Sequence, residues 1–212
     1  LEDEFGVTGL WKYFDLIIGT STGGILSIAL ASGLSAKDIL NFYKEFGKSI
    51  FPITGFGKRI YFGFRQLRRS KFSSRQLEKA LQQILGKSTL GDAKCRVAVT
   101  AYNAGRNDLQ IFKNYGEGVK NNHLQLPLVD VALTTSAAPT YFKAVRFSVE
   151  HEELNDPYLD GGVCANCPAL IGVVQAVSNF SIDVRDIQLL SIGTLYHDFM
   201  VSGSRQSGGI FQ

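Results

Sequence analysis

The chain has little of several things, and each shortage excludes something. Cysteine occurs only three times in 212 residues, an odd and small number that makes no disulfide framework and points to a reducing compartment. No run of about 18 uncharged apolar residues exists, so nothing reads as a membrane span. The longest apolar stretch, Ile25 to Leu34, is interrupted by Ser27, Ser32 and Gly33. Net charge is only +3, too little to make the chain as a whole a polyanion binder. Histidine is also sparse, with only His123, His151 and His197 present, which narrows the choice of catalytic bases. No signal peptide is recognisable.

What is present describes a folded domain. Apolar residues make up 45% and charged residues 19%, values of an ordinary globular protein rather than a disordered one. The length suits one domain with a sizeable core. The opening LEDEFG lacks a methionine, and residues 198–212 are Gly/Ser-rich. The expectation is one domain over 1–197, cut from a longer protein, followed by a flexible tail over 198–212.

Periodicity predicts alternating strands and helices. Tyr13 to Ile18, Arg96 to Ala101, Leu109 to Phe112, Tyr158 to Asp160 and Ile187 to Ile192 read as strands, the last of them buried. Gly24 to Ala31 reads as a helix stopped at Gly33. Ser35 with Asp38, and Ser73 with Gln76, resemble capping boxes opening two more helices. Pro127 to Ala138 and Ala169 to Val177 complete the helical set. Nearly continuous apolar strands between helices imply a three-layer α/β/α domain with a mainly parallel central sheet.

The segment IIGTSTGG, residues 17–24, holds the sharpest chemical signal. Gly19-Thr20-Ser21-Thr22-Gly23 fits G-x-S-x-G between a strand and a helix, the context of a nucleophile elbow. Such a turn needs small neighbours, and Gly24 extends the run of them. The following helix aims its first N–H groups and positive dipole end at the place where an oxyanion would form. The plain alternative is a glycine-rich turn with Ser21 as helix N-cap. A phosphate loop is disfavoured because no lysine follows the glycines.

A serine nucleophile needs a base. His197, following the last strand, is where a Ser-Asp-His esterase would keep its histidine. Asp160, in YLDGG, is the stronger choice, because Gly161 and Gly162 turn the chain sharply and let other groups approach. A partly buried carboxylate there would accept the serine proton directly.

GTSTGG, the block Thr135 to Phe142 (TSAAPTYF) and DGG, in this order, resemble the patatin-like phospholipases. The likeness runs from YFDLIIGTSTGG through KFSSRQLEKAL and TSAAPTYF to LLSIGT. It implies a patatin-like fold and a serine-aspartate dyad, Ser21 and Asp160, that cleaves acyl esters of phospholipids or galactolipids without metal or other cofactor. An acyl-enzyme and a free fatty acid follow from it. Two departures stand out. The family's upstream G-G-G-x-R-G oxyanion loop has no counterpart in these residues. In Ala165-Asn166-Cys167-Pro168 a cysteine also replaces the second asparagine of the family's A-N-N-P. Cys164 and Cys167 thereby form a CxxC pair, too few ligands for a tetrahedral zinc site; two small reduced residues are expected.

Between Phe46 and Leu77 no acidic residue occurs. Lys58, Arg59, Arg65, Arg68, Arg69 and Lys71 alternate there with Phe51, Phe56, Tyr61, Phe62, Phe64 and Phe72. This mixture suits an anionic bilayer surface. Single-stranded nucleic acid would be met by the same composition, and so would a solvated connection. With a lipid hydrolase in view, Arg65, Arg68 and Arg69 are the candidate membrane contacts, no nucleic-acid partner is expected, and the location is cytoplasmic or peripheral to a membrane. A non-catalytic lipid-binding module remains the alternative from outside enzymology.

Overall fold

The computed structural model describes residues 1–50, 74–116, 119, 121–147 and 155–193. A short helix α1 (Glu2–Phe5) precedes strand β1 (Ile17–Thr20). Helices α2 (Thr22–Ala31), α3 (Ala36–Ile50) and α4 (Ser74–Leu85) follow, then strands β2 (Val97–Asn103) and β3 (Asp108–Lys113). Next come helices α5 (Asn121–Leu124) and α6 (Leu128–Thr135), strand β4 (Tyr158–Asp160) and helix α7 (Ala169–Phe180).

Local chemistry accounts for several boundaries. The Ser35 hydroxyl accepts from the Asp38 N–H at 3.1 Å, and the Asp38 carboxylate accepts from the Ser35 N–H at 3.3 Å. This reciprocal pair opens α3. Helix α2 stops just before Gly33, whose φ of 100° lies in the left-handed region that few other residues enter. The helix expected over 127–138 is shorter, ending at Thr135, because residues 136–139 leave the helical path to approach β4.

The α/β class expected from the sequence is the one observed. β1 pairs with β2 in parallel, Ile17 opposite Val97 and Thr20 opposite Thr100. A right-handed crossover through helices normally makes such a pair. β3 and β4 both run antiparallel to β2, so parallel pairing among the described strands is confined to β1 and β2. For β3 the reason is the connection: residues 104–107 are too few to cross over the sheet and must form a hairpin.

Alternation along β1 puts helices on both faces. A Cβ on Gly19 would strike the Ser27 hydroxyl of α2, and a Cβ on Gly172 of α7 would meet Ile18 at 3.1 Å. The core lies on the α2 side. Ile28, Leu81, Leu90, Val97, Val99, Phe112, Leu126 and Val131 are all fully buried there. Each such side chain contributes about 1.5–3 kcal/mol of burial.

The expected final strand is not formed. Residues 187–193 run without regular structure, with Leu190 53% and Ile192 78% exposed. A strand needs a neighbour about 4.8 Å away, and a cavity of about 500 Å³ separates this segment from β1. Its apolar side chains therefore stay at the surface.

Candidate active site

β1 delivers the chain to Ser21 at the edge of the α2 N-terminus. Ser21 has φ 57° and ψ −126°, a conformation that costs a non-glycine residue about 1–3 kcal/mol and concentrates at functional sites. The turn is tight enough that a Cβ on Gly19 would lie 2.1 Å from the Gly23 carbonyl oxygen. On the other side the demand falls on Gly24, where a Cβ would come within 2.7 Å of Thr135. At Gly23 it would meet open space, so the expected need for a small residue there is corrected: α2 turns its Gly23 Cα outward.

Ser21 does not cap α2 with its side chain. Its hydroxyl instead donates to Asp160 Oδ2 at 2.5 Å. Asp160 ends β4, which aligns with β2 so that Asp160 stands opposite Ala101. Its other oxygen, Oδ1, accepts the Gly162 N–H at 2.7 Å, and its own N–H donates to the Ala137 carbonyl at 3.1 Å. Gly161 lies so close to β2 that a Cβ would sit 2.5 Å from the Thr100 carbonyl oxygen. The carboxylate is thus held by the Gly162 N–H, on a main chain fixed against Ala137 and Thr100. It is only 5% exposed. Burial pushes its carboxyl above the usual aspartate range, and hydrogen bonds from Ser21 and Gly162 hold part of that rise back. A carboxylate in this state is a stronger base than one in water.

Three threonines brace the pair. Thr135 Oγ1 accepts the Ser21 N–H at 2.9 Å. Thr20 Oγ1 donates to the Ala165 carbonyl at 2.8 Å and lies 2.7 Å from Thr100 Oγ1. A hydroxyl has one proton, so Thr100 is the donor in that second bond. The supporting role of Thr135 and Thr100 is not legible in the sequence. Within the apolar runs VALTT and VAVT they read as β-branched core residues, and only the quoted TSAAPTYF block pointed toward one of them. Thr22 borders a cavity of about 210 Å³ beside Ser21 and Asp160, walled by Ile25, Phe42, Tyr43, Leu77 and Phe142. Polar surface in it comes from Ser21, Asp160 and a few neighbours; the rest is apolar.

The remaining expectations fall elsewhere. His197, His151, Arg65, Arg68 and Arg69 lie outside the described residues, as does the 198–212 tail. His123 sits in α5, with its ring 6.1 Å from that of Phe112. No described helix is long and apolar enough to cross a membrane.

The family model described as patatin-like phospholipase matches residues 7–173, most of the chain and both halves of the Ser21–Asp160 pair. The chain belongs to the patatin-like phospholipase family. Among relatives of this patatin-like chain, a cGAMP-activated phospholipase of Vibrio cholerae serotype O1 is 33% identical over 98% of this chain and 61% of its own length. A second protein of that name, from Escherichia coli, is 34% identical over 91% of this chain and 53% of its own. Patatin-like protein 3 of Arabidopsis thaliana is 29% identical over 87% of this chain and 50% of its own. The patatin-like chain therefore spans about half to three fifths of the length of these relatives.

Proposed function

We propose that this domain is a serine hydrolase that cleaves acyl esters of membrane lipids through a Ser21–Asp160 dyad. The observation that carries the reading is the 2.5 Å hydrogen bond from the Ser21 hydroxyl to the buried Asp160 carboxylate. Asp160 takes the proton as Ser21 Oγ attacks the ester carbonyl. Negative charge on the carbonyl oxygen develops beside the first N–H groups of α2, which have no partner within the helix. The Ser21 N–H is engaged by Thr135, so that stabilisation falls to the amides after it. Collapse expels the lysolipid alkoxide, which recovers the proton from Asp160. Water, deprotonated by the same carboxylate, then cleaves the acyl-enzyme and releases the fatty acid. The apolar cavity beside the dyad suits the acyl chain adjoining the scissile bond. No step needs a metal.

The test is hydrolysis by the purified protein of phosphatidylcholine and phosphatidylglycerol vesicles and of a short soluble ester, beside Ser21→Ala. Fatty acid release by the parent and none by the variant is expected. Lipid binding by both with turnover by neither would make it a binding module instead. Equal turnover by both would place the nucleophile elsewhere. Two relatives are named for activation by cGAMP, so the assay is run with and without that nucleotide; a rise in rate on addition extends the reading to activation.

A further inference from the structure

The three cysteines do not share one environment. Cys95 is half-buried, whereas Cys164 and Cys167 are exposed, and all three are free thiols. Unpaired cysteine is among the most buried of residues when it serves packing, so two exposed thiols within four residues ask for another account. Metal binding does not supply one: among the described residues no third ligand gathers beside them.

Their place in the fold does. Asp160 is followed at once by a short turn, residues 161–163, and the Cys164–Cys167 segment continues it to Pro168, the N-cap of α7. The carbonyl of Gly161 accepts the N–H groups of Cys164 at 3.2 Å and Ala165 at 2.7 Å, and the Cys164 thiol donates to it at 3.7 Å. Between the two cysteines stand Ala165 and Asn166. The Ala165 carbonyl receives the Thr20 hydroxyl beside the nucleophile. The Asn166 side-chain oxygen would lie 3.6 Å from a Cβ on Gly162, the residue whose N–H holds Asp160. The CxxC pair therefore brackets Ala165, whose carbonyl holds the Thr20 hydroxyl next to the nucleophile, and Asn166, which lies over the Gly162 turn. The chain bends at Asn166, and Cys-x-x-Cys is the spacing that redox-active dithiols use.

We infer that Cys164 and Cys167 form a thiol modification site, in which oxidation by a hydroperoxide closes a disulfide and switches the hydrolase down. One thiolate attacks the peroxide oxygen, the O–O bond breaks, an alcohol or water leaves, and a sulfenic acid remains. The second thiol attacks that sulfur, its proton leaving with the hydroxyl as water. Two thiols are oxidised and one peroxide is reduced. The closed ring fixes the torsions of Ala165 and Asn166 and removes the Cys164 S–H donor from Gly161. The carbonyl under Thr20 and the turn under Asp160 then shift together, and a misplacement of even 1 Å at a dyad is worth on the order of a hundredfold in rate.

The activity part of this inference rests on the hydrolase reading above; the chemical part does not. The purified protein is treated with hydrogen peroxide, alkylated with iodoacetamide and mapped by mass spectrometry, and its rate on a soluble ester is followed. The peptide holding Cys164 and Cys167 is expected to lose about 2 Da and resist alkylation, while Cys95 stays alkylatable. The rate is expected to fall by roughly tenfold to a hundredfold and return with dithiothreitol. In the Cys164→Ser, Cys167→Ser double variant peroxide is expected to leave the rate where it was. Alkylation of both thiols after peroxide overturns the inference. So does a disulfide that leaves the rate unchanged, or a double variant as sensitive as the parent. A reduced protein that cleaves no ester would instead overturn the hydrolase reading, with the mass map still deciding the dithiol.

Discussion

The Ser21 hydroxyl meets the Asp160 carboxylate at 2.5 Å across 139 positions of chain. The fold makes that contact by bringing two strand ends to β2, β1 through Thr20 opposite Thr100 and β4 through Asp160 opposite Ala101. Adjacent residues of one strand thus hold nucleophile and base side by side. The chemistry of each partner then has a measurable consequence.

For Asp160 the consequence is in pH. Burial raises its carboxyl above the usual aspartate range, and only the ionised form accepts a proton. The rate should therefore rise with pH through that raised value and level off above it, with the acid limb displaced upward from that of an ordinary aspartate. Asp160→Asn should abolish the limb and lower the rate by roughly a hundredfold to ten-thousandfold. Stability runs the other way. A raised folded-state value means that folding favours the neutral acid; this contribution is present at low pH and lost as pH rises through the folded-state value. The asparagine variant, neutral at every pH, should melt at or above the parent temperature at pH 7. A near-parental rate in Asp160→Asn would remove the aspartate from the dyad.

For Ser21 the consequence is in the backbone. Its φ of 57° is strained for serine and alanine alike but free for glycine. Ser21→Ala and Ser21→Gly both lose the hydroxyl, so both should lose hydrolysis. Only the glycine variant also sheds the strain, and it should melt roughly 2–4 °C above the alanine variant. Equal melting temperatures would mean that the elbow stores no strain.

Much of this site can be read from residues alone because its two ends are punctuated locally. Glycines around Ser21 and after Asp160 announce sharp turns wherever they occur, and the Ser35–Asp38 cap lies within one helical turn. The supporting threonines cannot be read that way. Whether Thr135 packs or accepts a hydrogen bond depends on a serine 114 positions away, and within VALTT it reads as core. Residues 187–192 show the converse. Their apolar run has the composition of a buried strand, but composition does not provide the neighbouring strand that pairing requires. The antiparallel setting of β4 was equally hidden, since three residues carry no direction.

The basic and aromatic stretch between Phe46 and Leu77 lies mainly outside the described residues, and its prediction comes from sequence. Each Lys or Arg near an anionic bilayer is worth about 1 kcal/mol, screened by salt. Replacing Arg65, Arg68 and Arg69 by glutamate should weaken binding to phosphatidylglycerol vesicles and slow their hydrolysis, while a soluble ester is cleaved at the parental rate. A matched fall in both rates would assign the stretch to the fold or the site. No change in either would make it a solvated face.

Thr135 gives the most local test of how the nucleophile is held. Thr135→Val keeps the shape and β-branching of the side chain but removes the oxygen that accepts the Ser21 N–H. That donor, beside a buried carboxylate, would then have no partner, at a cost of about 1–3 kcal/mol. The elbow should relax to find one, carrying the Ser21 hydroxyl away from Asp160. The expected result is a fall of about tenfold or more in kcat on a soluble ester, with KM little changed because the apolar cavity is untouched. Thr134→Val is the matching control. Its hydroxyl bonds the Asp130 carbonyl one turn back in the same helix, away from the dyad, so its loss should lower stability by about 1 kcal/mol and leave the rate alone. If the two variants lose rate equally, the effect belongs to packing of α6, and the Thr135 hydroxyl has no special hold on the nucleophile.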